Sequence, residues 1–259
     1  MKEIQMYTHF FKDYPFVESN WYKALSNNPE ITTPKSEIIK KNNKKFVNLD
    51  DKISIGEYDS YIHISSNKEA DFVGINHYRR YPYFLNQHKV LDSKVFFEPN
   101  EENLKFLTSQ DQKNAALDLL KTFEVILSRP IHLSYNVEEQ WKMAHSIQAF
   151  DIMREELTKT ELSESLGYFD HNNLHIFAYH LITKWEILKE FTDFYIKFIN
   201  KLVEREDFLT ILNSDIETHP RFINKRLLSF VGERLVPLWV FHKRLKSAHI
   251  PCVVTEKDA

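Results

Sequence analysis

Glycine is scarce in this chain, and the scarcity excludes one large group of phosphate sites. The 259 residues include four glycines, at positions 56, 74, 167 and 232, and no two of them are close together. The P-loop and the GxGxxG dinucleotide loop both need neighbouring glycines, so neither motif is present. A phosphate bound by this protein is therefore held by side chains or by a helix end.

Cysteine, long apolar runs and excess positive charge are also lacking. Cys252 is the only cysteine, which excludes an intramolecular disulfide and a cysteine-based zinc site and fits a reducing compartment. No uncharged apolar stretch is long enough to span a membrane, and the first residues lack the apolar run of a signal peptide. The net charge is −3, which gives the whole chain no attraction for nucleic acid. We therefore expect a cytoplasmic protein without a nucleic-acid partner.

Strand-like and helix-like segments alternate along the chain. This alternation predicts one α/β domain over residues 1–259, with a mainly parallel central sheet and long C-terminal helices. Residues 13–45 read as irregular. The predicted strands are 3–9, 46–49, 72–75, 123–127, 174–182 and 252–255, and the predicted helices are 57–66, 112–122, 137–160, 184–205 and 219–246. The last helix is basic with a wide apolar face, which suits either an anionic membrane surface or, in the interpretation we favour, burial in the core.

The most distinctive stretch of the sequence runs from Asp71 to Tyr81. A short apolar strand is followed without a break by His77, Tyr78, Arg79 and Arg80. Arginine grips phosphate through two parallel hydrogen bonds, and open α/β sheets bind ligands at the carboxyl ends of their strands. The stretch predicts a pocket for a phosphate or pyrophosphate, although neighbouring arginines are more often a solvated surface. Gly74 within the strand favours a close approach of another backbone or a ligand.

Polar side chains follow other predicted strands and turns. Thr8 and His9 end the first strand, and Arg129 follows the strand 123–127, so parallel pairing would bring all three to the edge that carries Arg79. For His9 the ordinary alternative is a turn residue. Asp50 and Asp51 are weak candidate ligands for Mg²⁺ or Mn²⁺, and the alternative is a turn. Asp170 is a candidate general base, and the alternative is a turn residue. His145 is a candidate ligand, and the alternative is a core or surface residue.

Residues 74–81 read Gly-Ile-Asn-His-Tyr-Arg-Arg-Tyr, which resembles the Gly-x-x-His-Tyr-Arg-Arg-Tyr signature of one bacterial family. That family comprises capsular-polysaccharide and lipopolysaccharide glycosyltransferases filed as domain of unknown function 4422. Two departures, Asn172 in place of a frequent glycine and a shifted spacing before Glu233, concern the acceptor side. Further segments resemble the family in the same order: Thr8-His9, the strand 123–127, residues 141–151 with His145, residues 173–177, and residues 226–239 with Gly232-Glu233-Arg234-Leu235.

The resemblance implies a nucleotide-sugar-binding fold of the GT-A-like type. It also implies transfer of a hexose from a nucleotide-sugar donor to a growing capsular or lipopolysaccharide glycan. The acceptor would be a glycan or a lipid-linked glycan, which adds a peripheral contact with the inner face of the membrane. Such enzymes often hold a metal ion with an Asp-x-Asp motif at the end of a central strand, where this chain has His77-Tyr78-Arg79-Arg80. We therefore expect the arginines to replace the charge of the metal, and no cofactor is firmly implied.

The resemblance also distributes roles among the candidate residues. The catalytic carboxylates would be Asp170, which we rank first because it lies in a loop at the start of a predicted strand, and Glu233. Glu233 could instead pair with Arg234 or with the Arg79-Arg80 cluster. The donor-binding residues would be Thr8, His9, His77, Tyr78, Arg79, Arg80 and Arg129, and the acceptor or pocket residues would be His145, Asn173, Arg226 and Arg234.

Two other classes of function stay open at this stage. One is a metal-dependent phosphoester hydrolase, although the nearest histidine pair, His171 and His175, straddles a turn and a strand. The other is a non-catalytic glycan- or nucleotide-binding protein of a polysaccharide-assembly complex. Chelator-sensitive hydrolysis would indicate the first class, and sugar-nucleotide binding without turnover would indicate the second.

Overall fold

The structure is a computed structural model that describes residues 3–47, 49–85, 94–176, 180–214 and 224–256. Its strands are β1 (Ile4–His9), β2 (Tyr22–Ser26), β3 (Glu37–Ile38), β4 (Phe72–His77), β5 (Arg80–Pro82), β6 (Lys94–Phe97), β7 (Val125–Ser128), β8 (Ile131–His132), β9 (Leu174–His175), β10 (His180–Lys184), β11 (Ser247–Ile250) and β12 (Cys252–Thr255). Its α-helices are α1 (Tyr58–Ser66), α2 (Glu101–Leu107), α3 (Gln110–Leu119), α4 (Val137–Ala144), α5 (Ile147–Leu157), α6 (Gly167–His171), α7 (Trp185–Val203), α8 (Glu206–Asn213) and α9 (Leu227–His242).

In the described part of the chain, seven strands form the central sheet in the order β3-β2-β1-β4-β10-β7-β11. Strand β10 runs antiparallel to β4 and β7, and the other neighbouring pairs are parallel. The predicted α/β fold with a mainly parallel sheet is therefore confirmed. Because β1, β2, β4 and β7 run in the same direction, their carboxyl ends lie at one edge of the sheet.

Two smaller sheets flank the central one. In the first, β12 lies between β5, to which it is antiparallel, and β6, to which it is parallel. The second pairs β8 with β9. Since β5 follows β4 after a two-residue turn, the small sheet around β12 lies next to the carboxyl end of the central strand.

Apolar side chains cover both faces of the central sheet. On β7, Val125 and Leu127 pack into the cluster that includes the buried faces of α7 and α9, whereas Ile126 packs into the cluster on the other face with Leu104 and Leu107 of α2. A strand buried on both faces reads as a continuous apolar run, which is why β4 and β7 could be predicted from the sequence.

Gly74 of β4 provides space for side chains of the neighbouring strands. A Cβ atom placed on Gly74 would lie 2.1 Å from Sδ of Met6 on β1 and 2.8 Å from Cγ1 of Ile182 on β10. The close approach that we predicted at this glycine is therefore made by core side chains, and not by another backbone or a ligand.

The predicted irregular region 13–45 and the predicted strand 46–49 are both wrong. Residues 13–45 contain β2 and β3, which extend the sheet beside β1. The described residues of 46–49 form no strand, because a 3-10 helix, Asn43–Lys45, turns the chain and directs the ring of Phe46 into the core against Tyr195.

Three other predicted elements are interrupted. The helix 137–160 is broken between α4 and α5, where His145 is extended and Ser146 caps α5 by accepting a hydrogen bond from the N–H of Ala149. The strand 174–182 comprises β9 and β10, with residues 177–179 outside the described part. Of the helix 219–246, residues 219–223 also lie outside it, and α9 begins only after the 3-10 helix Asn224–Arg226.

Helix α9 lies in the core, which confirms the interpretation that we favoured over a membrane surface. Its residues from Leu227 to Val240 are almost all buried, and Phe241 near its end is exposed. Across the described residues, no helix has the length and apolar character needed to cross a membrane.

Candidate functional site

Two neighbouring strands end side by side at the carboxyl edge of the central sheet. In the parallel pairing of β1 with β4, Thr8 lies opposite Asn76 and His9 lies opposite His77. Adjacent strands are about 4.8 Å apart, so side chains at their ends reach the same space. The structure thus brings Thr8 and His9 to the segment 77–80, at the edge where open α/β sheets bind ligands.

The turn after β4 is held by the buried side chain of Asn76. Its Nδ2 donates to the backbone carbonyls of His77 at 3.2 Å and Arg80 at 3.0 Å, and its Oδ1 accepts a hydrogen bond from Oγ1 of Thr8 at 3.1 Å. One amide therefore ties both ends of the turn to β1. Our sequence reasoning missed Asn76, although a polar residue inside an apolar strand pattern was a signal for it.

Arg79 and Arg80 are half-buried on this turn. The guanidinium of Arg79 lies 5.3 Å from the centre of the Tyr78 ring, and its Nη1 is 3.3 Å from Oε1 of Glu256. The Nε of Arg79 is buried, and within the described ranges it has no hydrogen-bond partner. Arg80 begins β5 opposite Val254, so strand pairing fixes its backbone. Two adjacent guanidiniums with an unused N–H are suited to gripping an anion.

Tyr78 lies between the core and the guanidinium of Arg79. Its buried ring packs against Phe10 at 5.8 Å and Tyr14 at 5.1 Å between ring centres. Since its face also carries the guanidinium of Arg79, Tyr78 acts as a platform that orients this arginine.

Two neutral histidines lie beside the arginines. His9 is fully buried, its Nδ1 is 2.6 Å from Oγ of Ser60, and its Nε2 has no partner among the residues that the structure describes. Burial lowers the pKa of His9 to about 3. Burial, and then the charges of the two arginines, lower the pKa of His77 well below its ordinary value. The ring of Phe11 contacts both imidazoles, at 4.4 Å and 5.4 Å between ring centres.

Helices α1 and α9 meet near this edge at a contact that two glycines permit. Gly56 has a φ of +63°, and a Cβ placed on it would lie 2.4 Å from Oγ of Ser229. A Cβ placed on Gly232 would lie 2.2 Å from Cζ of Tyr58. We call this contact, formed by residues 56–58 and 229–232, the α1–α9 junction.

Glu57 is the acidic residue of the α1–α9 junction, and our sequence reasoning treated it only as a helix start. Its Oε2 accepts a hydrogen bond from Oγ of Ser229 at 3.3 Å. Burial raises the pKa of Glu57, as does the negative charge of Glu233, whereas its own backbone N–H and the charges of Arg226 and Arg80 lower it. The charge of Arg80, at the sheet edge, therefore acts on the Glu57 carboxylate.

One protein-family model matches residues 5–244 of this chain, the family described as Domain of unknown function (DUF4422). The chain belongs to this family. Membership confirms the family resemblance that residues 74–81 indicate. Comparison with curated proteins found no match for the chain.

The fold of this DUF4422 chain is similar to that of WbbM, a bifunctional glycosyltransferase solved in its apo state. The superposition has a TM-score of 0.77 at 16% sequence identity. It covers 98% of this chain and 45% of WbbM, so the chain spans less than half the length of that protein. At this level of identity the likeness shows a shared α/β fold.

Asp170 of the DUF4422 chain is engaged in an ion pair. Its Oδ1 and Oδ2 accept hydrogen bonds from Nη1 and Nη2 of Arg154, at 2.5 Å and 2.6 Å, and Arg154 also contacts Glu138 at 2.5 Å. The hydrogen bonds from Arg154 lower the pKa of Asp170. This bidentate pair ties α6 to α5.

Aromatic rings link three of the predicted acceptor-side residues. The ring of His145 is 4.7 Å from that of Trp141 and 4.3 Å from that of Phe230. The guanidinium of Arg226 lies 5.5 Å from the centre of Phe230, and that of Arg234 lies 5.7 Å from Trp141. We call these five residues the aromatic row. It begins at the exposed Arg226 and ends at the buried Arg234.

Arg234 and Glu233 form a pair at the inner end of the aromatic row. Arg234 is 1% exposed, and its Nη1 is 2.8 Å from Oε2 of Glu233, while its Nη2 donates to Gln140. Glu233, which we predicted as a catalytic carboxylate or an arginine partner, is therefore ion-paired with Arg234, as the second interpretation expects.

Arg129 and Asn173 lie apart from the turn that carries Arg79 and Arg80, Arg129 after β7 of the central sheet and Asn173 before β9 of the two-stranded sheet. Arg129 follows β7, and its backbone N–H donates to the carbonyl of Ile250 at 2.8 Å. With β10 between β7 and β4, the backbone of Arg129 is about two strand spacings, roughly 10 Å, from β4. Asn173 is exposed beside β8, with its Nδ2 3.1 Å from Nε2 of His132.

Asp50 and Asp51 lie in an exposed turn. The carbonyl of Asp50 accepts from the N–H of Ile53 at 3.0 Å, and its Oδ1 accepts from the N–H of Lys52 at 2.7 Å. These bonds explain the pair as a turn. In the described part of the chain, no group of three or more His, Cys, Asp or Glu side chains is placed to hold a metal ion.

Proposed function

We propose that this chain is a glycosyltransferase that moves a sugar from a nucleotide-sugar donor to a glycan acceptor. The observation that carries the proposal is the pair Arg79 and Arg80 at the carboxyl end of β4, on a turn that Asn76 holds in place. Membership of DUF4422 and the likeness to WbbM support it, and the sheet suits a nucleotide-sugar-binding fold of the GT-A-like type.

The chemistry requires positive charge where the leaving group departs. When the bond between the anomeric carbon and the diphosphate breaks, its electron pair stays on the diphosphate. Guanidiniums that are already in place stabilise the developing charge without reorganising. Arg79 and Arg80 are suited to this role, and the neutral His9 and His77 can hydrogen-bond the donor without changing the charge.

The groups at this strand end suit an anion better than a metal ion. Metal-dependent sites for nucleotide sugars use oxygen ligands, which Mg²⁺ and Mn²⁺ prefer. Here the side chains of residues 77–80 are an imidazole, a phenol and two guanidiniums, and cations disfavour a second cation. The arginines would thus take the place of the metal, and no step of the proposed reaction uses one.

We place the acceptor at the outer end of the aromatic row, where Arg226 is exposed and Phe230 is partly buried. Aromatic faces and arginine side chains suit the apolar faces and hydroxyls of sugar rings. The row begins at the exposed Arg226, beside the α1–α9 junction, so an acceptor could enter from solvent toward the donor. We propose a capsular or lipopolysaccharide glycan, free or lipid-linked, as the acceptor. The reaction would then take place in the cytoplasm, with a peripheral contact at the inner face of the membrane.

Donor binding can be tested before the acceptor is identified. The melting temperature is measured against UDP, GDP, ADP and CMP and their common sugar conjugates, with EDTA and with Mn²⁺. A ligand at 100 times its dissociation constant adds about 2.7 kcal/mol of stability, which is easily seen as a melting shift. The measurement is repeated on Arg79→Ala/Arg80→Ala and on Lys44→Ala/Lys45→Ala, a matched pair of adjacent exposed cations elsewhere.

A shift that persists in EDTA, is lost in the arginine variant and is kept in the lysine variant supports the proposal. A shift that needs Mn²⁺ contradicts the replacement of the metal by arginine. Binding without release of nucleoside diphosphate from any sugar conjugate supports the non-catalytic interpretation instead. The absence of any shift contradicts the donor site.

A further inference from the structure

We propose that Glu57 is the catalytic base of this chain and accepts the proton of the attacking hydroxyl group at the α1–α9 junction. The inference rests on the proposed glycosyl transfer. Glu57 is none of the carboxylates predicted from the sequence, which are Asp170 and Glu233 for catalysis and Asp50 and Asp51 for a metal ion. Three features of the structure support it: the position of Glu57, its surroundings, and the ion pairs of the competing carboxylates.

The α1–α9 junction fixes the position of Glu57. The positive φ of Gly56 turns the chain directly before Glu57, and the Tyr58 ring lies against Gly232 directly after it. The Ser229 hydroxyl then holds Oε2 of Glu57 at 3.3 Å. A carboxylate whose two chain neighbours are held in place, and which accepts a hydrogen bond itself, keeps one orientation, which a proton acceptor needs.

The first turn of α1 connects Glu57 to the edge of the sheet. Residues three apart on a helix lie on the same face, so Glu57 and Ser60 are neighbours on α1. Ser60 contacts His9 at 2.6 Å, and His9 lies opposite His77 at the carboxyl end of β4. From the other side, the N–H of Ser54 donates to the carbonyl of Lys225 at 2.8 Å, which brings the chain before Glu57 next to Arg226.

The carboxylates that we predicted for this role are engaged elsewhere. Asp170 binds Arg154 through both oxygens, and Glu233 binds Arg234. Glu57 forms no salt bridge within the described residues and is partly buried. A base works best when its pKa lies near the working pH, and burial together with the charge of Glu233 raises that of Glu57. The other ionisable groups that face it are Arg80, Arg226, Tyr58, Tyr61 and Tyr195.

The step balances with the groups already named. The acceptor oxygen forms a bond to the anomeric carbon of the donor, and its proton passes to the Glu57 carboxylate. The bond from the anomeric carbon to the diphosphate breaks, and the diphosphate leaves with the electron pair beside Arg79 and Arg80. Water can replace the acceptor in the same step, which gives free sugar and nucleoside diphosphate and allows an assay without the natural acceptor.

The test measures release of nucleoside diphosphate from UDP-glucose, UDP-galactose and GDP-mannose between pH 5 and pH 8. The variants are Glu57→Gln, Glu57→Asp and, as a control, Glu186→Gln, an exposed glutamate in the first turn of α7. Melting shifts with the corresponding diphosphate are recorded for each protein. We expect wild-type turnover to fall as pH drops and Glu57 becomes protonated. Loss of a general base costs about 10²–10⁴-fold, so Glu57→Gln should be that much slower at neutral pH, without this pH dependence.

In support of the proposal, Glu57→Gln keeps the diphosphate-induced melting shift, Glu57→Asp recovers part of the rate, and Glu186→Gln matches the wild type. If Glu57→Gln turns over within threefold of the wild type, Glu57 is not the base, while the glycosyltransferase proposal stands. If Glu57→Gln is unfolded, Glu57→Asp decides: a folded Glu57→Asp with the wild-type rate and the wild-type pH dependence overturns the role, because shortening the side chain of a base changes both. A wild type that neither binds nor cleaves any donor overturns both proposals.

Discussion

Gly232 of α9 lies directly against the ring of Tyr58 at the start of α1, with 2.2 Å between a Cβ placed on Gly232 and Cζ of the tyrosine. The tyrosine is buried and stacks on Tyr195 at 4.5 Å between ring centres, so it cannot move aside easily. The contact sets how closely α1 and α9 approach, and with it the position of Glu57 beside Glu233.

Gly232→Ala should therefore destabilise the protein. Forcing a methyl group into a packed interior costs about 1–3 kcal/mol, and we expect a loss of that size in urea denaturation. Gly167→Ala is the matched control, because a Cβ there meets His171 at an ordinary 3.5 Å. It should leave the stability unchanged or slightly raised. Equal stability of the two variants would show that the α1–α9 junction tolerates a wider separation.

The sequence predicts the central strands well but not the junction. Apolar runs such as β4 and β7 are recognisable because both their faces are buried. The contact of Gly56 with Ser229 joins segments far apart in the chain, and no local pattern encodes such a pairing. Likewise, β2 lies among prolines and polar residues and becomes a strand through its pairing with β1.

In the candidate site, too, local features can be predicted from the sequence and long-range contacts cannot. The arginines after β4 could be predicted because their charge and their place after an apolar strand are local properties. The ion pair of Asp170 on α6 with Arg154 on α5 depends on how the helices pack. For Asn76 the sequence offers one signal, a polar side chain inside an apolar strand, but its bond to Thr8 depends on the register of β1 and β4.

Asn76→Ala should destabilise the turn of residues 77–80, which carries Arg79 and Arg80. The variant leaves the carbonyls of His77 and Arg80 without their donor, and an unsatisfied buried polar group costs about 1–3 kcal/mol. We expect lower stability in urea and a weaker melting shift with nucleoside diphosphate. Asn114→Ala, on the exposed surface of α3, is the control and should change neither. A destabilised Asn76→Ala that binds diphosphate as tightly as the wild type would separate the turn from donor binding.

Glu256→Gln should strengthen diphosphate binding. In the unliganded protein Glu256 holds Nη1 of Arg79 at 3.3 Å, and a diphosphate must compete for that guanidinium. Partly exposed ion pairs contribute about 0.2–1 kcal/mol, so removing the competitor should tighten binding by up to about fivefold. Calorimetric titration at low salt measures the change, with Glu102→Gln on the exposed face of α2 as control. Unchanged or weaker binding would indicate that Glu256 orients Arg79 for the ligand.

Buried neutral histidines should make the protein sensitive to mild acid. Burial lowers the pKa of both His9 and His180 to about 3. In the unfolded chain each imidazole takes up a proton as the pH falls below about 6.5, whereas in the folded chain it does not until about pH 3. The unfolded state therefore binds more protons in this window, and the free energy of unfolding decreases as the pH falls from 6.5 towards 3.

His9→Gln isolates the contribution of His9 to the decrease in the free energy of unfolding at lower pH. Glutamine can keep a hydrogen bond to Ser60 but takes up no proton when the chain unfolds. At pH 5 a histidine with so low a folded pKa costs up to about 2 kcal/mol, so the variant should lose about that much less than the wild type between pH 7 and pH 5. Urea denaturation at the two pH values measures both losses, and the contribution of the carboxylates cancels in the comparison. If the wild type and His9→Gln lose the same free energy of unfolding between pH 7 and pH 5, His9 becomes protonated in the folded protein. The proposal that a neutral His9 lies at the donor site would then be wrong.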